Sequence, residues 1–196
     1  GSATDLPEWG PRVAADFTTV DSYDTHAKIG EYFGALDAAA SGAGTIAIIA
    51  VGWDPGLFSL NRLYAEAVLP DGETSTFWGE GVSQGHSDAI RRIPGVADAV
   101  QYTVPIAAAV DAARSGGAAD LTTRQRHLRV CYVVAQDDAT DADRDRIAAA
   151  ITSMPNYFAD YDTTVTFLSA AQLAAEHAGM PHGGFVIRSG VTGDAQ

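Results

Sequence analysis

The sequence predicts an α/β plus α+β protein. The end of a Rossmann-like parallel sheet over residues 1–53 is followed by a mixed open sheet, with helices on one face, over residues 54–196. Three observations carry that expectation. Helical and extended periodicities alternate with short joints through the first fifty residues, which is the grammar of parallel βαβ units. The run Thr45 to Val51 is apolar at nearly every position, as a strand buried on both faces would be. After Gly52, short β-rich segments recur between helical ones without an internal repeat.

The elements follow in order. Asp5-Leu6-Pro7-Glu8 reads as a helix start, with a carboxylate at the cap position, an early proline and Glu three residues on. Phe17 to Val20 is a short β-rich piece. Helical spacing returns from about His26 to Ala39 through Ile29, Tyr32, Phe33 and Leu36, and stops at Ser41-Gly42-Ala43-Gly44. The Thr45 to Val51 strand leads to a helix from about Pro55 to Val68. Beyond it, Thr74 to Trp78, Ala97 to Val104, Leu128 to Val134, Thr163 to Leu168 and Phe185 to Arg188 are rich in β formers. Helical candidates lie between them at Ser87 to Ile93, Ala107 to Arg114, Ala142 to Ile151 and Ala170 to His177. The Asp-rich stretch Gln136 to Arg146 reads as a solvated turn entering a helix.

Composition removes several function classes. Twelve Lys and Arg against twenty-five Asp and Glu give a formal net charge of −13, a field that repels phosphate backbones and anionic lipid headgroups. Nucleic acid and membrane surfaces are therefore poor partners. The longest apolar run, Ile46 to Val51, is far shorter than the ~20 residues that cross a bilayer. A single cysteine, Cys131, can form neither an intrachain disulfide nor a multi-cysteine metal site, which suits a reducing, cytoplasmic setting. His177 and His182 alone give a metal site little support, and no metal is expected. The one lysine, Lys28, lies in a polar helical stretch and is a weak Schiff-base candidate. The chain opens without Met or a signal segment and reads as part of something longer.

Ligands of open α/β sheets sit at the carboxyl ends of the strands, which singles out two turns. In Gly52-Trp53-Asp54-Pro55-Gly56, Asp54 reads either as a helix cap with Pro55 at the first helical position, or as a carboxylate in a pocket walled by Trp53. In Val20-Asp21-Ser22-Tyr23-Asp24, two carboxylates and a phenol could hold an ammonium group or take a proton, or one of them could cap the next helix. Downstream, Phe77-Trp78-Gly79 supplies aromatic wall material. Ser83-Gln84-Gly85-His86-Ser87-Asp88 enters a helix whose backbone amides suit a carboxylate, with Ser87 reading as the cap. Arg129, between Leu128 and Val130, is either an edge-strand residue facing water or a bidentate clamp on a carboxylate. The loop Gly179-Met180-Pro181-His182-Gly183-Gly184 presents an imidazole where glycines permit close backbone approach.

In combination these strings resemble the meso-diaminopimelate dehydrogenase family. The resemblance runs in order over nearly the whole chain. It includes Gly1-Ser2-Ala3-Thr4-Asp5, Val20-Asp21-Ser22-Tyr23-Asp24, Gly52-Trp53-Asp54-Pro55-Gly56 and Thr76-Phe77-Trp78-Gly79. It continues through Ser83-Gln84-Gly85-His86-Ser87-Asp88, Arg91-Arg92-Ile93-Pro94-Gly95-Val96, Ala99-Val100-Gln101-Tyr102-Thr103 and Gly179-Met180-Pro181-His182-Gly183-Gly184. Departures are a longer acidic segment near Asp137 to Asp145 and the pair Ala50-Val51 before Gly52.

The resemblance implies an NADP-dependent amino-acid dehydrogenase of lysine biosynthesis. It implies oxidative deamination of meso-2,6-diaminopimelate at its D-centre to L-2-amino-6-oxopimelate and ammonia, and a homodimer as the assembly. By the same carry-over, residues 54–196 form the substrate and dimerisation domain. Asp24, Asp54 and Trp53 hold the reacting ammonium end, with Asp24 and Asp54 as the catalytic carboxylates. Gln84 and Gly85 hold the adjacent carboxylate; Thr103, Arg129 and His182 hold the distal one; Trp78 and Met180 line the pocket. Gly1, Ser2, Ala3, Gly52, Trp53 and Asp54 touch the cofactor. The family also carries a Gly-rich dinucleotide fingerprint in a leading portion of about 60 residues and continues beyond residue 196. This chain alone is then expected to be inactive. The alternatives are a dehydrogenase of other D-amino acids and a non-catalytic binding or dimerisation fragment.

Overall fold

A computed structural model describes residues 5–79 and 81–191. The chain folds into two compact units, Gly1–Val68 and Leu69–Gln196.

In the first unit, α1 (Leu6–Ala14) begins with Pro7 in its first turn, as the sequence predicts. A 3-10 turn, His26–Lys28, feeds α2 (Ile29–Ala43), which ends on Gly44 in the left-handed conformation, φ 73°. The two helices pack closely because Gly10 has no side chain: a Cβ there would lie 2.2 Å from the Tyr32 hydroxyl. Tyr32 donates to Asp21 Oδ2 at 2.6 Å, and burial together with that carboxylate holds its phenol above the ordinary range. Ala14, Tyr23, Tyr32, Leu36 and Ala40 make the core.

Strands β1 (Thr19–Val20) and β2 (Ala47–Ile48) pair in parallel, Thr19 with Ala47 and Val20 with Ile48. The expected strand Thr45 to Val51, buried on both faces, is corrected here. Ala47 and Ile49 pack on the helices, whereas Ile46, Ile48 and Val51 are 62%, 50% and 52% exposed. Within this unit only one face of the pair is covered, so the continuous apolar run does not mean burial on both sides. Helix α3 (Leu57–Val68) closes the unit.

The second unit holds two sheets. Strands β3 (Gly72–Trp78) and β7 (Gly184–Gly190) form an antiparallel ribbon, packed on α5 (Ala107–Arg114) through Phe77, Ala109, Val110 and Ala113. Strands β4 (Val96–Pro105), β5 (His127–Ala135) and β6 (Asp162–Phe167) form a mixed open sheet with β5 in the centre, antiparallel to β4 and parallel to β6. One face carries α4 (Gln84–Arg91) and α7 (Asp141–Thr152), whose Ile90, Ile147 and Ile151 pack on Ala99, Cys131 and Val133 with Phe158. The short α8 (Ala170–Glu176) lies against the other face through Leu173. A single turn, α6 (Thr123–Arg126), has no counterpart in the sequence expectations. No helix among the described residues is long and apolar enough to cross a membrane.

Gly10→Ala should destabilise the first unit. The gain in helix propensity is about 1 kcal/mol, against overpacking of about 1 to 3 kcal/mol onto a buried ring. In a Tyr32→Phe background the added methyl should cost less, because the closest atom is gone; equal costs in urea titrations of both backgrounds would show that the contact is not the cause.

Candidate active site

At the carboxyl ends of β1 and β2 the two predicted turns have distinct characters. Asp21 is used structurally: Oδ2 accepts the Tyr32 hydroxyl and Oδ1 accepts the Tyr23 amide at 3.0 Å. That leaves Asp24 as the exposed carboxylate of its turn, with no ion pair among the described residues. Asp54 is not the cap of α3, which begins at Leu57, and Pro55 does not occupy its first position. Instead Asp54 is gripped by Arg62 of α3, with Nη2 to Oδ1 at 2.5 Å and Nη1 to Oδ2 at 3.2 Å, and its side chain is only 10% exposed. The turn itself requires glycine at Gly56, φ 135°, where a Cβ would fall 1.9 Å from the Gly52 carbonyl oxygen. The Trp53 ring meets Phe58 edge-on at 4.8 Å. Gly1, Ser2 and Ala3 lie outside the described residues.

The second unit builds its polar cluster from the period-2 alternation of two strands. On β4 the inward side chains are Ala99, Gln101 and Thr103; on β5 they are Val133, Cys131, Arg129 and His127. Pairing sets Ala99 opposite Val133, Gln101 opposite Cys131 and Thr103 opposite Arg129. The same face thus changes from hydrophobic core to polar cluster along its length. Arg129 is on the central strand and 4% exposed, so the edge-strand alternative is excluded. Its Nη1 donates to Thr103 Oγ1, which also accepts from Gln101 Nε2 at 3.3 Å. Its guanidinium carbon lies 3.8 Å from the centre of the Tyr161 ring. No carboxylate among the described residues pairs with it, and buried Arg129 Nε and Gln101 Oε1 have no partner. Burial lowers the Arg129 pKa from its usual value.

Two further segments hang on β4. The Ser83 amide donates to Gln101 O at 2.8 Å, while Val82 exchanges backbone bonds with Met180 and His182, each at 3.0 Å. Gly81, φ 129°, makes this possible, since a Cβ there would sit 2.6 Å from His182 Cα. Gln84 and Gly85 are the first residues of α4 and are exposed. The residue at the cap position is Ser83, not Ser87, which is buried inside the helix and bonds Ser83 O and the Gln101 amide. Ser83 makes no capping bond, because its hydroxyl is engaged with His86 Nδ1 at 2.8 Å. Trp78 ends β3 with its ring 5.6 Å from His182, and its amide donates to His127 Nε2 at 3.1 Å. Met180 is 82% exposed and is tied into the group through its backbone carbonyl, which accepts the Val82 amide.

The sequence pattern of the C-terminal domain of diaminopimelic acid dehydrogenase matches residues 52–196. The chain belongs to the diaminopimelate dehydrogenase family. It is 60% identical over 193 residues to meso-diaminopimelate D-dehydrogenase of Lysinibacillus sphaericus, covering 98% of this chain and 58% of that protein. Among solved structures, C. glutamicum DAP dehydrogenase in complex with DAP superposes with a TM-score of 0.91 at 52% identity, over 99% of this chain and 59% of the other. An engineered D-amino acid dehydrogenase bound to NADP+ gives a TM-score of 0.88 at 49% identity, over 99% and 60%. The chain thus spans less than two thirds of the length of these relatives.

Four residues of these clusters escaped the sequence reading: Arg62 in the first unit, and Gln101, His127 and Tyr161 in the second. Gln101 and His127 had a signal, a polar residue at the inward register of an apolar strand; Tyr161 and Arg62 act across turns and had none. His127 accepts the Trp78 amide at Nε2, which leaves its proton on Nδ1. Its pKa is pushed down to about 4, by burial first and then by Arg129 and Arg126; that of His86 is pushed down to about 3, by burial first and then by Arg129 and His182.

An unfolded histidine titrates near 6.5. Between about pH 6.5 and pH 4 the unfolded chain therefore binds protons that the folded chain excludes, so stability falls as pH falls, by up to about 1.4 kcal/mol per pH unit for each histidine. Urea midpoints should be lower near pH ~5 than near pH ~7.5. His127→Gln, whose amide oxygen can still accept the Trp78 amide, should show a shallower dependence. Identical slopes for parent and variant would remove His127 from this account.

Proposed function

We propose that the full-length protein oxidatively deaminates meso-2,6-diaminopimelate at its D-centre with NADP+. The products are L-2-amino-6-oxopimelate, ammonium, NADPH and a proton, with water supplying the new carbonyl oxygen. The observation that carries the reading is the buried Arg129 guanidinium with no carboxylate partner among the described residues. A buried cation is costly unless paired, and a substrate carboxylate is the chemistry that completes it. Thr103, fixed by two donors to its oxygen, keeps its own hydroxyl hydrogen for the same carboxylate. His182 extends the clamp and Trp78 walls it. Gln84 and Gly85 offer the uncapped start of α4 to the carboxylate at the reacting end, while Asp24, Asp54 and Trp53 receive its ammonium. Trp78 and Met180 line the substrate pocket.

The cofactor fits the first unit in one respect that is visible. Gly52, Trp53 and Asp54 follow a parallel strand at its carboxyl end, the place where such sheets hold dinucleotides, and Trp53 is 37% exposed. NADP+, when bound, supplies the hydride acceptor. Gly1, Ser2 and Ala3 belong to the same proposal. The functional boundary is drawn at residues 53 and 54, beside the start of the family match at residue 52. A homodimer and a cytoplasmic location complete the reading. In support, the central strand β5 leaves Leu128 38% exposed, and Cys131 is a buried free thiol.

A dehydrogenase of monocarboxylic D-amino acids is the competing class, and the intact set Thr103, Arg129 and His182 speaks against it. Steady-state kinetics of the full-length enzyme should show turnover of meso-diaminopimelate with NADP+; turnover of a monocarboxylic D-amino acid alone would overturn the assignment. Arg129→Lys should raise KM by roughly 10- to 150-fold, because a point charge does not replace a planar fork worth about 1.5 to 3 kcal/mol. Unchanged KM would disqualify Arg129 as the clamp.

A further inference from the structure

We propose that Arg62 is a positioning residue for the reacting end, fixing the Asp54 carboxylate as a stationary acceptor for the substrate ammonium. The inference rests on the dehydrogenase reading above. Asp54 and Arg62 make a two-point pair in which each carboxylate oxygen meets a different guanidinium nitrogen, at 2.5 Å and 3.2 Å. Such a fork fixes the plane of the carboxylate as well as its place. Both side chains are largely withdrawn from water, at 27% exposed for Arg62 and 10% for Asp54, so solvent screening weakens the pair less than it would on an open surface.

The rest of the turn cannot supply this orientation. Asp54 lies ahead of α3 and receives no capping role there, and the Gly52–Gly56 bridge fixes only the backbone. Arg62, on the second turn of α3, is placed by the helix and reaches back to the carboxylate, so the helix transmits its rigidity to Asp54. Asp24 is different in kind. It is exposed in its own turn and makes no ion pair among the described residues. The two carboxylates assigned to the ammonium thus divide their work. One is oriented in advance by a fork; the other adapts. An acceptor already oriented costs less ordering when the transition state forms, which is where its effect on rate comes from.

The test uses the full-length enzyme with meso-diaminopimelate and NADP+. Arg62→Lys keeps a positive charge but loses the fork, and Arg62→Met keeps the stem and loses both. Each should lower kcat/KM by about 10-fold or more, with Tm near that of the parent for Arg62→Lys. The double variant Arg62→Lys/Asp54→Asn should be no slower than Asp54→Asn alone, because the two residues act as a unit. Calorimetric binding of meso-diaminopimelate should weaken in Arg62→Lys in parallel with Asp54→Asn. Arg62→Lys within about 2-fold of the parent in kcat/KM, or effects that multiply in the double variant, would overturn the proposal. So would a loss of rate accompanied by an equal loss of Tm in Arg62→Lys and no coupling to Asp54. If the parent enzyme itself fails to oxidise meso-diaminopimelate, the functional reading fails first, and the two failures are distinguishable.

Discussion

One buried cation organises the second unit. Arg129 sits on the central strand of a three-stranded sheet, where an aliphatic residue would be the ordinary choice. Its withdrawal from water is offset by Thr103 Oγ1 and by the face of the Tyr161 ring, neither of which carries a negative charge. The field of the guanidinium then constrains its neighbours. His86 and His127 are both held neutral, burial being the larger cause and Arg129 the next. A neutral His127 can accept the Trp78 amide, which ties the end of the β3–β7 ribbon to the start of β5. A neutral His86 can share the Ser83 hydroxyl, which withdraws that hydroxyl from capping α4. The Trp78 tie and the open helix start thus both rest on a buried imidazole near Arg129.

The difference at α4 is visible against α6, α7 and α8 of the same unit, while α5, preceded by Ile106, also starts without a side-chain cap. At α6, α7 and α8, Thr122, Thr140 and Ser169 each close a capping box with Gln125, Asp143 and Gln172. Ser83 is a residue of the same capping type in the same position, with extended backbone, yet its hydroxyl goes to a ring nitrogen. Stability at this helix start is carried instead by the buried Ser87, which joins Ser83 O to the Gln101 amide and so welds the helix to β4. In the proposed reaction, the substrate carboxylate takes the place that a side-chain cap fills elsewhere.

Element order was legible because hydrophobic periodicity is a local property. The α2 stop at Gly44, the α7 start after the acidic turn and all five strands of the second unit follow from runs of a few residues. Burial of the Thr45 to Val51 run was not legible: whether a face is covered depends on what packs there, and only one face is covered within the first unit. Ser87 was misread as a cap, and the cap alternative for Asp54 is excluded, for a related reason. Both are good capping residues, and propensity names the type without fixing where the helix begins. Arg129 posed two alternatives in the sequence, edge strand or clamp, and strand order alone removes the first. The pair Asp54 and Arg62 depends on a turn that brings residues eight positions apart into a fork, which no periodicity announces.

The formal charge of −13 bears on how such a site selects its ligand. The proposed substrate, diaminopimelate, carries two ammonium and two carboxylate groups near neutrality, so it has no net charge for the overall field to steer. Recognition must then come from groups close to each end, arranged by sign. The first unit offers carboxylates at the ends of two parallel strands. The second offers a guanidinium, a hydroxyl and helix amides along one sheet face. In the proposed reaction, a ligand lacking the distal carboxylate would leave the Arg129 guanidinium buried and unpaired. The two sets of opposite sign are built by different means, a fork from a helix in one unit and an inward strand register in the other. On the proposed reading the second set serves both ends of the ligand, Gln84 and Gly85 at the reacting carboxylate and Arg129 with Thr103 at the distal one, so a change at Arg129 bears on the distal end alone.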